Sequence, residues 1–195
     1  MNTPTVVTER LILRKFTEND INAIYKIFSD AQVNTFLPWF ALKSLQDAEV
    51  FYKTRYADTY ILPSAYNYAV CLKTNDLPIG YINVDMKDGY DLGYGLRKEY
   101  WRQGLITEAG KAVIGQLKKD GIPYVTATHD INNSRSGAVM KRLGMRYKYT
   151  YVEQWQPKNI PVTFRMYQLN LDGNEDRVYN KYWDASSVRF IETDI

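Results

Sequence analysis

Apolar and polar positions along the chain change period several times, and each change marks an element. Val7, Leu11 and Leu13 alternate with Arg10, Ile12 and Arg14, which predicts a first strand over about 7–14. Thr17-Glu-Asn-Asp20 then places an N-cap with an acid three residues on. Ile21, Ile24, Tyr25 and Phe28 follow at helical spacing. Pro38 interrupts an aromatic loop over 35–40, and Ser44-Leu-Gln-Asp47 caps a second helix carried by Val50, Phe51 and Thr54 to about Ala57. Apolar, β-prone runs predict strands at about 66–72, 78–86 and 90–96, separated by Lys73-Thr-Asn-Asp76 and Asp88-Gly89. Leu105, Ala109, Ala112, Val113 and Leu117 form one stripe of a further helix that stops at Gly121 and Pro123. A strand over 124–128, a helix from Ser136 to Leu143 closed by Gly144, and strands at about 145–155 and 162–171 complete the pattern. From Asp172 the character changes. A turn leads to Val178, Tyr179, Tyr182 and Trp183, spaced as a short helix that packs on the domain or on a partner, which leaves a homodimer open.

Composition bounds the function classes. The 195 residues suit one domain with a sizeable core. A formal charge of +3 is too mild to argue for nucleic acid, which asks for a concentrated basic face. The lone Cys71 excludes an intramolecular disulfide and a cysteine-rich metal site, and it reads as a small buried hydrophobe within Tyr68-Ala-Val-Cys-Leu72. His129 is the single histidine, so no metal is expected. A catalytic triad of Ser134, His129 and Asp130 is disfavoured as well, because neighbouring strand residues point to opposite faces. No apolar stretch approaches the ~20 residues that span a bilayer and no leader pattern is evident, so the reading is a cytoplasmic protein without a membrane partner.

The chemistry concentrates after the strand at 92–96. A polar loop there opens into the helix at Gly104, Thr107 and Glu108. A helix start carries unpaired N–H groups and partial positive charge, the setting for an anion such as a phosphate. Tyr100-Trp101, Gly104 and Thr107-Glu108-Ala109 resemble the acetyl-CoA pyrophosphate loop of the GNAT-superfamily N-acetyltransferases, most closely the branch of ribosomal-protein N-terminal acetyltransferases. Asn133-Ser-Arg-Ser136 followed by Val139-Met-Lys-Arg-Leu-Gly-Met145 resembles that branch's Asn-x-x-Ser segment and succeeding helix. Thr8-Glu-Arg-Leu-Ile-Leu-Arg14 resembles its first strand. The blocks occur in family order, and the likeness covers about residues 6 to 171. Arg102 stands where glycine is common, and Ile106 where glycine or alanine is expected.

The resemblance implies a GNAT-like α/β fold, a strongly twisted, mostly antiparallel mixed sheet with helices on both faces. It implies a domain over 1–171 and an aromatic extension over 172–195. Acetyl-CoA would be the cosubstrate and a primary amine, a protein N-terminus or a small molecule, the acceptor. Backbone amides of Gln103, Gly104, Leu105, Ile106 and Thr107 would cradle the pyrophosphate. The strand ending at Leu96 would hold the pantetheine arm and offer an N–H to the acetyl oxygen, and Asn133 would contact the same arm.

Acyl transfer to an amine needs a proton acceptor for the ammonium, donors for an oxyanion, and a proton donor for the departing thiolate. Ser136 is the candidate donor, set against a simple helix-capping role for it or Ser134. Glu153 is the candidate base, with Asp85 and Asp91 as alternatives. Glu108 reads as a partner of the helix dipole, and His129 as structural. The aromatic loop over 36–40 either walls the acceptor cleft or caps the core. With no activated cysteine, direct attack in a ternary complex is the expected route. The competing reading is a non-catalytic acyl-CoA-binding or protein-interaction module.

Overall fold

The computed structural model describes residues 2–195. Its first departure from the pattern comes early: the expected single strand over 7–14 is a tight hairpin. Val6–Val7 (β1) and Leu11–Arg14 (β2) pair antiparallel, with Val6 opposite Leu13. Thr8 makes the turn. Its N–H donates to the Leu11 carbonyl at 2.9 Å, and its hydroxyl accepts from the Leu11 N–H at 3.0 Å. The polar alternation continues through a reversal that periodicity alone cannot show.

Tyr66–Leu72 (β3), Pro78–Val84 (β4) and Leu92–Leu96 (β5) extend that hairpin into an antiparallel sheet of order β1-β2-β3-β4-β5. β4 is buried at all seven positions, which is why it reads as a continuous apolar run. Tyr124–Asp130 (β6), Arg146–Trp155 (β7), Ile160–Asn170 (β8) and Arg189–Phe190 (β9) form a second antiparallel sheet of order β6-β8-β7-β9. The sheets are fastened at one end. Asp91 bridges Thr126 in parallel, the Thr126 N–H donates to Tyr90 O at 3.3 Å, and its hydroxyl donates to Gly89 O at 2.8 Å. No other β-bridge joins β5 to β6 among the described residues, so the two strands part beyond this point.

Helices cover both faces. Ile21–Phe28 (α1) follows a 3₁₀ turn at Glu18–Asp20, where the Asp20 carboxylate accepts from Thr17 N at 2.8 Å and holds Arg14 at 2.7 Å. Leu45–Tyr52 (α2) starts with the expected reciprocal cap of Ser44 and Asp47, both bonds at 3.1 Å. It runs on as a π-helical turn at Lys53–Ala57 and a last turn at Asp58–Tyr60 (α3). These helices bury Ile24, Ile27, Phe28 and Tyr56 against Ala69, Cys71 and Tyr81 of the first sheet. On the opposite face, Leu105–Lys119 (α4) and Ser134–Arg142 (α5) bury Leu105, Ala109, Val113, Leu117 and Met140 against both sheets. One core thereby bridges the gap that the strands leave.

The tail helix, Lys181–Ala185 (α6), is shorter than its aromatic spacing suggests, since Val178 and Tyr179 precede it. Tyr182 stacks on Tyr151 with ring centroids 5.3 Å apart, and Trp183 meets Tyr149 edge-on at 5.5 Å. β9 pairs with β7, and Glu192 holds Arg165 at 2.5 Å.

Candidate functional site

The chain leaves β5, makes a 3₁₀ turn at Lys98–Tyr100 and enters α4 through Gly104. Trp101 folds the loop back, its indole N–H donating to Leu96 O at 2.7 Å. Gly104 caps the helix at φ +75°, and Arg102 holds φ +62° although it carries a side chain. A glycine has no side-chain acceptor, so the first N–H groups of α4 keep no side-chain cap. Glu108 is spoken for. Its carboxylate accepts from Thr8 Oγ1 at 2.6 Å, Arg10 N at 2.9 Å and Arg10 Nε at 2.7 Å, while Arg10 Nη1 donates to Gln103 O at 2.9 Å. Burial pushes the Glu108 carboxyl up, but these bonds hold it below the ordinary range. The residue clamps the loop to the β1–β2 turn, which gives its carboxylate a structural role.

Above this helix start lies a cleft of about 1760 Å³. Of the residues expected at the cosubstrate, Leu96, Gly104, Leu105, Ile106, Thr107 and Asn133 line it. Gln103 does not; its amide turns away and donates to Glu99 O at 3.0 Å. Lys98 lines the cleft too but is paired with Asp30, and Arg102, Lys111, Arg135 and Arg142 are four further cations along its lining. Two helix starts, an apolar strand edge and four cations suit a long ligand with phosphates at one end.

A second cleft of about 860 Å³ lies across β5, lined in part by Trp39, Arg55, Asn83, Asp85, Asp91 and Glu153. Phe36, Tyr94, Asn133 and Ser136 line both clefts, so these four residues mark where they meet. Asn133 Oδ1 accepts from Ser136 N at 3.3 Å, which makes Asn133, not either serine, the cap of α5. The Ser136 hydroxyl is left to pair with Tyr94 Oη at 3.0 Å, and Tyr94 also reaches Ser136 O at 3.0 Å. Burial pushes the Tyr94 phenol well above its ordinary range, so it stays a proton donor. Sequence reading could not single Tyr94 out of 17 tyrosines. Its one local signal is the pair of flanking glycines. Gly95 is required there, because a Cβ would lie 2.6 Å from the Tyr81 ring.

Four acidic residues, Asp85, Asp91, Asp130 and Glu153, line the second cleft. Burial pushes Asp91 up to about 7, with Asp85 and Glu153 adding in the same direction against a hydrogen bond from Thr126. Burial likewise raises Glu153, on β7, with Tyr151 opposing. His129 lies within β6. Its ring nitrogen Nδ1 pairs with Asp130 O at 2.8 Å and Nε2 abuts Gly137, where a Cβ would come within 2.6 Å. Burial lowers its pKa, leaving a neutral packing residue. Cys71 is fully buried, and burial pushes its thiol up to about 12, so it supplies no thiolate nucleophile at neutral pH. The aromatic loop divides its roles: Trp39 packs on Phe28 and Phe51 at 5.9 Å each, whereas Phe36 lines both clefts. Among the described residues no group of three or more His, Cys, Asp or Glu could hold a metal, and no helix is long and apolar enough to cross a membrane.

Comparison with known proteins agrees with this geometry. Residues 10–146 match the family described as the acetyltransferase (GNAT) domain. The uncharacterized N-acetyltransferase YnaD of Bacillus subtilis is 29% identical over 145 residues, 72% of this chain and 82% of that protein. A GNAT-family acetyltransferase from Bacillus anthracis superimposes with a TM-score of 0.76 at 23% identity, over 87% of this chain and 99% of the other. A putative ribosomal-protein-serine acetyltransferase from Vibrio cholerae gives 0.71 at 22% identity, over 86% and 99%. The microcin C7 self-immunity acetyltransferase MccE, solved with acetyl-CoA and AMP, gives 0.72 at 16% identity, over 84% and 93%. The structures share the fold. The family match covers most of the chain, and the chain belongs to the GNAT acetyltransferases. It is an acetyl-CoA-dependent N-acetyltransferase.

Proposed function

We propose that this enzyme acetylates a primary amine, a protein N-terminus or a small molecule, held in the second cleft, by direct attack within a ternary complex. The observation that carries the reading is the junction of the two clefts at Tyr94, Asn133 and Ser136. A donor entering from the α4 side and an amine from the other side come face to face only there.

Acetyl-CoA, when bound, supplies the activated thioester. Its diphosphate fits the backbone N–H groups from Gly104 to Thr107 and the cations of the lining, and its pantetheine arm fits the β5 edge ending at Leu96, beside Asn133. Glu153, with Asp91 beside it, takes the proton that the ammonium must lose before the nitrogen lone pair can attack. Backbone N–H groups on the open edge of β5 face the developing oxyanion. The Ser136 hydroxyl, backed by Tyr94, donates a hydrogen bond to the departing sulfur as the C–N bond forms and the C–S bond breaks, and the second proton released by the attacking nitrogen ends on the thiolate. The buried Cys71 favours this direct route over an acyl-cysteine intermediate. We further propose that residues 172–195 are an integral wall of the acceptor cleft, a reading supported by Tyr182 among its lining residues.

Thiol release from acetyl-CoA, assayed against peptides, polyamines, aminoglycosides and amino acids, tests the reading. Release that depends on one class of amine supports it. Tight CoA binding without release on any amine would favour a binding module.

A further inference from the structure

The second cleft contains a cation that no carboxylate answers. Arg55 sits in the π-helical turn Lys53–Ala57 and lines the cleft. Such turns break the regular ladder and recur at functional sites. Its guanidinium carbon lies 4.2 Å from the Trp39 ring centroid and 5.8 Å from that of Phe51. None of the ion pairs among the described residues includes it. The other cation lining this cleft, Lys87, already stands 3.6 Å from Asp85.

Three buried polar groups collect beside the cleft: Arg55 Nε and Asn83 Oδ1 belong to residues that line it, the fully buried Tyr56 Oη lies between them, and no well-formed hydrogen bond satisfies any of the three. The Tyr56 hydroxyl adjoins both Arg55 and Asn83. Asn83 is only 9% exposed and lines the cleft. Buried polar groups are almost always fully satisfied, so the open capacity of Arg55 and Asn83 on the cleft wall points to a ligand that completes them. Stacking on an indole fixes the plane of a guanidinium and leaves its in-plane N–H donors free. Their fork matches the two oxygens of a carboxylate or a phosphate. The fully buried Tyr56 hydroxyl supports Arg55 and Asn83 from beneath, and the Asn83 amide accepts or donates according to which end it presents.

The opposite charge is close by. Asp85 lies just beyond the end of β4, two residues after Asn83, and its N–H donates to Asp91 O at 2.9 Å. The cleft thus offers a cation and carboxylates to one small molecule that bears both charges.

We propose that the acceptor is a small amine that also carries an oxyanion, a carboxylate or a phosphate. Arg55, beside Tyr56 and Asn83, receives the oxyanion while the amine faces Asp91 and Glu153. The proposal rests on the second cleft being the acceptor site and narrows the acceptor to the zwitterionic class.

The test compares matched amines with the intact enzyme and acetyl-CoA: the common α-amino acids against their α-carboxamides and decarboxylated amines, and ethanolamine against its phosphate ester. A kcat/KM at least tenfold higher for the oxyanion member of one series is expected, and which series responds tells carboxylate from phosphate. Arg55→Gln should raise KM for that substrate at least tenfold and close the gap within the pair, leaving the Kd for acetyl-CoA unchanged. Arg55→Lys, which keeps the charge and loses the fork, should recover part of the preference. A wild-type enzyme indifferent to the oxyanion, or an Arg55→Gln enzyme that keeps the preference, overturns the proposal while the acceptor-site reading stands. Turnover of no amine at all, with acetyl-CoA bound, overturns both.

Discussion

At the scale of single residues, the Ser136 hydroxyl carries the sharpest expectation. Its backbone N–H already satisfies the Asn133 cap, so Ser136→Ala removes the hydroxyl and leaves the helix start intact. Turnover should fall on the order of a hundredfold with acetyl-CoA affinity nearly unchanged, because stabilising a thiolate counts chiefly in the transition state. Full turnover in an assay limited by chemistry would leave Ser136 a packing residue. The carboxylates set the pH dependence. A base must be ionised to accept a proton, and burial holds Asp91 near 7 and Glu153 above its ordinary range. The rate should therefore climb with pH above the ordinary carboxylate range where Glu153 is the acceptor, and through about 7 where Asp91 is. Glu153→Gln should flatten that climb, with donor binding intact; a wild-type profile would pass the role to Asp91, Asp85 or a water chain. Sequence put Glu153 first with Asp85 and Asp91 as alternatives, but the depth at which strands distant in sequence bury each one left no trace in their spacing.

At the scale of elements, the loop into α4 was the most legible part of the site. A glycine at a helix start, an indole reaching back and an acid in the first turn are local features that need no knowledge of distant contacts. Gly104 at φ +75° has room for a methyl group, whose nearest neighbour would be Arg10 Nη2 at 3.6 Å. The cost of Gly104→Val is thus backbone conformation, which a β-branched residue strains most. That variant should lose most of the thermal stabilisation conferred by acetyl-CoA, and an unchanged shift in a folded variant would move the phosphate site elsewhere. Strands β3 to β8 and helices α1, α2, α4 and α5 followed their hydrophobic periods within a few residues. The reversal at Thr8 and the π-helical turn did not, because neither leaves a periodic trace. Tyr94 and Arg55 were hidden for another reason. Their meaning lies in pairings with Ser136 and Trp39, and a partner that distant leaves no spacing to read.

For the whole molecule, the extension after Asp172 matters to solubility as well as to the cleft. Tyr149, Tyr151, Val162 and Phe164 form a buried cluster covered by Tyr179, Tyr182 and Trp183. Each large side chain removed from water contributes roughly 1.5–3 kcal/mol. Deleting residues 172–195 should therefore lower the melting temperature and expose an aromatic face that binds hydrophobic dyes. A truncated protein that melts like the full chain and stays monomeric would detach the extension from the domain.

The seam between the two sheets has one further consequence. Because, among the described residues, the one β-bridge between the two sheets at this seam is that of Asp91 and Thr126, backbone amides along the parted edges lack the ladder that protects their neighbours. In deuterium exchange these edges should label early, while β3, β4 and β8, paired on both sides, label late. Saturating the protein with CoA should slow the edge of β5 selectively. A ligand laid along that strand would then stand in for the missing neighbour and mend the sheet for as long as it stays.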